Sequence, residues 1–167
     1  MGAGELEATG GLEALYLQYG PAGVRLAYLM TGDREIAQDL VQEAFARVIG
    51  RLGHLRSDAP LDLYLQRTIV NLIKNGWRRR SVERAHDARA RAEPFVAEID
   101  GAVADRLAVW QAILGLPIKQ RTAIVLRFYE DLAENDIARI MGCRPGTARS
   151  LVSRGMASLR EELREVP

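Results

Sequence analysis

From Arg144 to Arg160 the chain alternates arginines with short hydroxyl residues and carries no acid. Written on a helix, Ala148, Leu151, Val152, Gly155, Met156 and Leu159 fall on one side, and Thr147, Arg149, Ser150, Ser153 and Arg154 on the other. Arginine forks match phosphate oxygens and guanine edges, and Ser/Thr hydroxyls bond to backbone or bases. Such a face fits the major groove of a duplex; its other reading is the polar exterior of two packed helices. The preceding residues favour the groove. Ile137, Ala138, Ile140 and Met141 make a short apolar face, with Ala138 small enough for a second helix to cross closely. Gly142 stands where that helix must stop, because glycine tolerates the left-handed backbone of a helix end. Pro145 suits the first turn of the next helix. Residues 133–154 therefore read as a helix-turn-helix, with Arg144 at the turn.

Charge along the chain adds a second basic surface. The 167 residues hold 23 Lys and Arg against 22 Asp and Glu, net +1, but in blocks. Residues 1–50 hold 3 basic and 7 acidic residues, 51–91 hold 10 and 4, 92–143 hold 5 and 8, and 144–167 hold 5 and 3. Two separated basic segments suit a polyanion touched at two places; solvated helix faces would give the same pattern.

The elements that must position these surfaces are helical. Leu12, Leu15, Tyr16 and Tyr19 predict a first helix stopped by Gly20-Pro21, and Val24 to Met30 a second, stopped at Gly32. Ile36, Ala37, Leu40, Val41, Ala44, Phe45 and Val48 repeat at three and four residues, behind Asp33 and Glu35 at the start. Leu61, Leu65, Ile69, Leu72 and Ile73 form the apolar face of a helix opened by Pro60. Its outer side carries Gln66, Arg67, Val70, Asn71, Lys74, Asn75 and Arg78. From Ser81 to Ala104 periodicity dissolves into Ala and charge, which reads as a linker. It resumes at Leu107, Trp110, Ile113 and Leu114, breaks at Leu116-Pro117, and continues from Lys119 to Tyr129. The β-looking run Thr122 to Tyr129 is flanked by helical patterns and is read as a buried helix face. The expected fold is all-α: two small helical domains, 10–80 and 105–165, on a flexible linker, 81–104, the second containing the helix-turn-helix.

Composition narrows the function. At 6% aromatic residues the core must be Leu, Ile, Val and Ala. Cys143 is the single cysteine, which excludes an intrachain disulfide, and its place in the turn suits a small half-buried hydrophobe. His54 and His86 are far apart, so no metal site is expected. No nucleophile–base pair or phosphate-binding glycine loop is present, so no catalytic residue and no cofactor are expected. No apolar run spans a bilayer, and the acidic N-terminus has no basic signal region. Leu6 stands where a myristoylation motif wants Ser or Thr. A cytoplasmic protein without membrane contact is expected.

Four segments in order resemble the extracytoplasmic-function (ECF) group of bacterial sigma factors, in the sigma-70 family. Thr31 to Phe45 (TGDREIAQDLVQEAF) is similar to the polymerase-binding helix of region 2.2. Tyr64 to Arg80 (YLQRTIVNLIKNGWRRR) resembles regions 2.3 and 2.4, Leu116 to Tyr129 (LPIKQRTAIVLRFY) region 4.1, and Gly146 to Arg154 the region 4.2 recognition helix. The resemblance implies a non-catalytic initiation subunit that binds core RNA polymerase through its β′ coiled coil and β flap. The holoenzyme would recognise the −35 and −10 promoter elements and melt the latter, and an anti-sigma factor is a further candidate partner. It assigns Asp39, Gln42, Glu43 and Arg47 to polymerase. It assigns Arg67, Asn71, Lys74, Asn75, Arg78 and Arg79 to the −10 element, with Asn71 on a base, the cations on phosphates and Leu55 to Ala59 around a flipped base. Arg144, Thr147, Arg149, Ser150, Ser153 and Arg154 fall to the −35 element. Tyr64 and Trp77 could stack on bases or pack in the core. Three positions depart from the family's frequent residues: Val70 for an arginine, Leu151 for a basic residue, and Ala133 for a serine N-cap, a loss of roughly 0.5–2 kcal/mol. A dimeric helix-turn-helix regulator of duplex operators is the alternative, but it would give the basic 61–80 helix no task.

Overall fold

The computed structural model describes residues 3–51, 60–80 and 103–164, and their side chains over 13–51, 60–76 and 106–164. Among the described residues seven helices follow one another: α1 (Ala3–Thr31), α2 (Arg34–Ile49), α3 (Leu61–Arg80), α4 (Val103–Gly115), α5 (Ile118–Ile124, running on through a wide turn over Val125–Tyr129), α6 (Glu134–Met141) and α7 (Pro145–Arg164). No strand occurs among the described residues, as the periodicity predicts.

The first two expected helices are one. Pro21 lies inside α1, although proline removes a hydrogen bond to the residue four before it. The position tolerates the loss because it faces outward. Pro21 is exposed and Leu17, whose carbonyl is left over, is 70% exposed and open to water. On the opposite side Gly23, Leu26, Ala27 and Met30 are buried, and that continuous apolar face keeps the helix whole. Gly32 then ends α1 in the left-handed region (φ 72°). Asp33 caps α2, its carboxylate accepting from the Ile36 N–H at 3.0 Å. The α2 stripe is buried at Ala37, Val41, Ala44, Phe45 and Val48.

The β-looking run is helical. Its last turn widens, so that the Glu130 N–H reaches the Val125 carbonyl (3.2 Å) and the Leu132 N–H the Leu126 carbonyl (3.1 Å). Ala123 to Leu126 are buried, which explains the apolar run without a strand. Gly142 closes α6 at φ 65°, and the Cys143 N–H returns to the Ala138 carbonyl at 2.9 Å, the expected helix end. Where α7 crosses α5, a Cβ on Gly155 would stand 2.8 Å from the Ile124 side chain, so only glycine lets the two helices meet this closely.

The described helices fall in two groups, α1–α3 and α4–α7, which pack on one another. One apolar core runs through both, from Leu26, Val41 and Ile69 to Leu126, Ile137 and Leu151. Helix α6 lies on α3, and α4 touches α1, where Tyr28 stacks on Trp110 with ring centres 5.1 Å apart. A satellite core of Ala112, Leu116, Ile124 and Leu159 closes the second group. Arg121, 4% exposed, ties the groups together at their middle. Its guanidinium donates to the Met30 carbonyl of α1 (2.6 Å), to the Leu116 carbonyl (3.1 Å) and to the Leu114 carbonyl. Burial lowers its pKa to about 10, which leaves it charged at neutral pH. A buried cation is tolerated only with several acceptors around it.

Two stability outcomes follow from these contacts. Arg121→Lys leaves at least one buried carbonyl without a donor, because an ammonium on a flexible stem cannot reproduce the planar fork. Denaturant unfolding should show a loss of about 2 kcal/mol. Asp33→Ala should cost about 1 kcal/mol through the lost cap, read as a lower midpoint with unchanged slope.

Candidate nucleic-acid and protein interfaces

Arg144, Thr147, Arg149, Ser150, Ser153 and Arg154 are all exposed on the outer side of α6–turn–α7, while Ala148, Leu151, Gly155 and Leu159 are buried behind them. Leu151 thus belongs to the core, which accounts for its departure from a basic residue. Arg149 is held from below. Its Nε donates to both Glu134 oxygens at 3.0 Å, and its Nη2 to Oε2 at 2.8 Å. These bonds leave the distal guanidinium edge pointing away from the carboxylate. The Arg149 bond holds the Glu134 carboxyl below its ordinary range, and the same bond raises Arg149. Ser150 Oγ donates to the Gly146 carbonyl at 2.9 Å, and Arg154 Nε to the Ser150 carbonyl at 3.3 Å. Nothing in the sequence singles out Glu134 as a partner for Arg149. Its fifteen-residue separation from Arg149 carries no periodic signal, so the pair emerges only once α6 and α7 cross. Ala133 makes no side-chain cap, and Glu134 and Asp136 supply negative charge in that first turn.

The outer side of α3 divides into two rows. Arg67, Asn71 and Asn75, spaced by four, are exposed. Gln66, Val70 and Lys74, the neighbouring row, meet the second helix group. Val70 is fully buried within the shared core, which corrects the expectation that it lies outside the core. Gln66 Nε2 donates to Glu130 Oε2 at 2.7 Å, and Lys74 Nζ to the Met141 carbonyl at 3.1 Å. Burial pushes the Glu130 carboxyl above its ordinary range, with the Arg25 charge and the Gln66 bond opposing. Arg25 Nε donates to the Tyr129 hydroxyl at 3.0 Å. Tyr64 is half-buried against the core, and Arg51 Nη1 reaches its hydroxyl at 3.4 Å. Arg78 and Arg79 lie on the last turn of α3, but their side chains and that of Trp77 lie outside the described residues, as does the expected pocket at Leu55 to Ala59.

On α2, Asp39, Gln42, Glu43 and Arg47 are exposed together, opposite the buried stripe. Glu43 pairs with Arg47 one turn on, so Asp39 and Gln42 dominate the polar character of that face. Cys143 is half-buried and packs on the core. Among the described residues no cluster of His, Cys, Asp and Glu could hold a metal, and no helix is long and apolar enough to cross a membrane.

Comparison with known proteins matches both helix groups. Residues 15–83 match the family model "Sigma-70 region 2" and residues 106–159 "Sigma-70, region 4". An RNA polymerase sigma-E factor of Streptomyces coelicolor is 34% identical over 143 residues, covering 84% of this chain and 78% of that protein. An RNA polymerase sigma-H factor of Pseudomonas aeruginosa is 32% identical over 165 residues, covering 90% and 85%. Among solved structures, the sigma factor RpoE of Bartonella quintana, crystallised with the anti-sigma factor NepR, superposes with a TM-score of 0.72 at 25% identity, over 93% of this chain and 98% of that one. The two family models and these relatives lead to one conclusion: the chain belongs to the extracytoplasmic-function group of the sigma-70 family, the sigma factors of bacterial RNA polymerase.

Proposed function

We propose that the chain divides its work between three surfaces of a non-catalytic, cytoplasmic initiation subunit. Residues 105–165 read the −35 element through Arg144, Thr147, Arg149, Ser150, Ser153 and Arg154. Residues 10–80 engage the −10 element through Arg67, Asn71, Lys74, Asn75, Arg78 and Arg79. Core polymerase docks on Asp39, Gln42, Glu43 and Arg47 of α2, and residues 81–104 join the halves. The observation that carries this reading is the exposed face of α7, with Arg149 74% exposed on its side chain and hydroxyls on either side. Arginine on such a face supplies bidentate contacts to guanine or phosphate. The open row Arg67, Asn71, Asn75 supports the second surface, since an amide both donates and accepts and so suits an unstacked base. An anti-sigma factor fits as a further partner, because the Bartonella quintana relative that superposes over both halves was crystallised with one. A dimeric operator-binding regulator would leave the α2 and α3 faces without a task and is not retained.

The surfaces separate by mutation. Arg149→Ala with Arg154→Ala should lower run-off transcription from the cognate promoter at least about tenfold while retaining core polymerase in pull-down. Asp39→Ala with Gln42→Ala should weaken polymerase retention and leave duplex binding by the isolated chain unchanged. Equal losses in both assays for both variants would contradict separate surfaces. Glu134→Gln keeps the shape of α6 but weakens the hold on Arg149. Promoter selection from a randomised −35 library should then lose base preference at one position, with other positions unaltered.

A further inference from the structure

We propose that Glu134 sorts the arginines of the α7 face: it holds Arg149 off phosphate and turns it end-on to a guanine, leaving the DNA backbone to Arg144 and Arg154. The inference rests on the assignment of that face to the −35 element. It adds Glu134, on the neighbouring helix α6, as the positioning residue that sets specificity there. Arg149 spends one edge of its fork on Glu134, since Nε and Nη2 both donate to the carboxylate. The hydrogens left over are those of Nη1 and the second on Nη2. One from each nitrogen lies along the end edge, and that edge matches guanine O6 and N7.

Pairing subtracts from one kind of contact and spares the other. Phosphate binding draws on net positive charge, because it is driven by counterion release. Guanine O6 and N7 are neutral acceptors and require donors in a fixed geometry. A clamped arginine–carboxylate pair carries no net charge but keeps its end edge, so it retains the guanine contact and forgoes most of the backbone attraction. Among the described residues neither Arg144 nor Arg154 pairs with a carboxylate, and both are exposed. The clamp is the bidentate arrangement that holds even at a surface. The Arg149 bond keeps the Glu134 carboxyl below its ordinary range, and the charge of Arg127 acts in the same direction, so the acid is ionised at neutral pH. Arg127 has its own Nη1 on the Leu132 carbonyl and does not compete for Arg149's place.

Asp136 supplies a matched control. It stands with Glu134 in the first turn of α6, the helix that crosses the DNA backbone in a helix-turn-helix, but it pairs with Arg139 of its own helix at 3.2 Å. Glu134→Gln and Asp136→Asn remove the same charge from the same turn, and only the first releases an arginine of the α7 face. Full-length chains carrying Glu134→Gln, Asp136→Asn or Arg149→Lys are compared with wild type, and thermal melting by circular dichroism checks that each folds. On a fluorescent duplex of mixed sequence, Glu134→Gln should bind about fivefold tighter at about 0.1 M salt. Its plot of log K against log salt should be steeper by about 0.9, one added phosphate contact. Asp136→Asn and Arg149→Lys should keep the wild-type slope. With core polymerase added, selection from a randomised −35 library should return a guanine at one position for wild type and Asp136→Asn. Glu134→Gln should lose that guanine, and so should Arg149→Lys, because an ammonium has no fork. A wild-type slope in Glu134→Gln, the same behaviour in Asp136→Asn as in Glu134→Gln, or a guanine retained by Glu134→Gln would overturn the proposal. If Arg149→Ala alters no selected position, the −35 reading fails and the proposal with it. If Arg149→Ala erases a position that is not guanine, the proposal alone fails.

Discussion

A single buried guanidinium organises this molecule. Arg121 sits where the end of α1, the end of α4 and the start of α5 converge, and its fork meets main-chain carbonyls from both helix groups. Carbonyls at helix ends have no partner of their own. A planar cation with donors on several edges satisfies them at once and is itself kept solvated by protein. The contact accounts for three features around it. The Leu116-Pro117 break places two carbonyls within reach, Gly32 lets α1 stop beside Leu114, a Cβ there being 3.1 Å from that side chain, and the Tyr28–Trp110 stack shields the neighbourhood.

Around that centre, small residues decide how close the helices come. Ala37, Ala44, Ala123, Ala138 and Ala148 are buried almost completely, and Gly155 leaves no room for a side chain against Ile124. Low aromatic content is thus a packing strategy. Close helix crossings bury backbone-near surface, and the core fills mainly with Leu, Ile, Val and Ala, with Phe45 and Trp110 among its few rings. The same closeness sets Glu134 under Arg149, so the geometry of the exposed arginine–hydroxyl face is a product of the crossing behind it.

Helix α3 shows how packing separates like residues. Two adjacent rows of one helix carry similar polar residues, yet one is exposed and the other is engaged by α6 and the wide turn. No property of Gln66 or Lys74 alone distinguishes them from Asn71 and Asn75. The difference lies in which partner is near.

Local patterns in the chain specified much of this. The α2 stripe, the Gly142 stop, the Pro145 start and the inner row of α7 were all legible, because each depends on neighbours within a turn or two, where periodicity and helix-end chemistry act. The arginine–hydroxyl face was legible for the same reason. Pro21 was misread as a helix end because its tolerance depends on which side of α1 is covered, and Val70 as an outer residue because its burial depends on the tertiary core it joins.

Sequence by itself determined that the chain is helical and that its last helix carries an apolar inner row and an arginine–hydroxyl outer row; those properties are written at separations of three and four residues. Tertiary structure alone decided that the groups share one core, that Arg121 joins them, that Glu134 holds Arg149 and that Lys74 caps α6. Each of these pairs positions distant along the chain through backbone carbonyls or lone charges, and such acceptors are present at every residue, so no spacing in the sequence marks the ones that will be used.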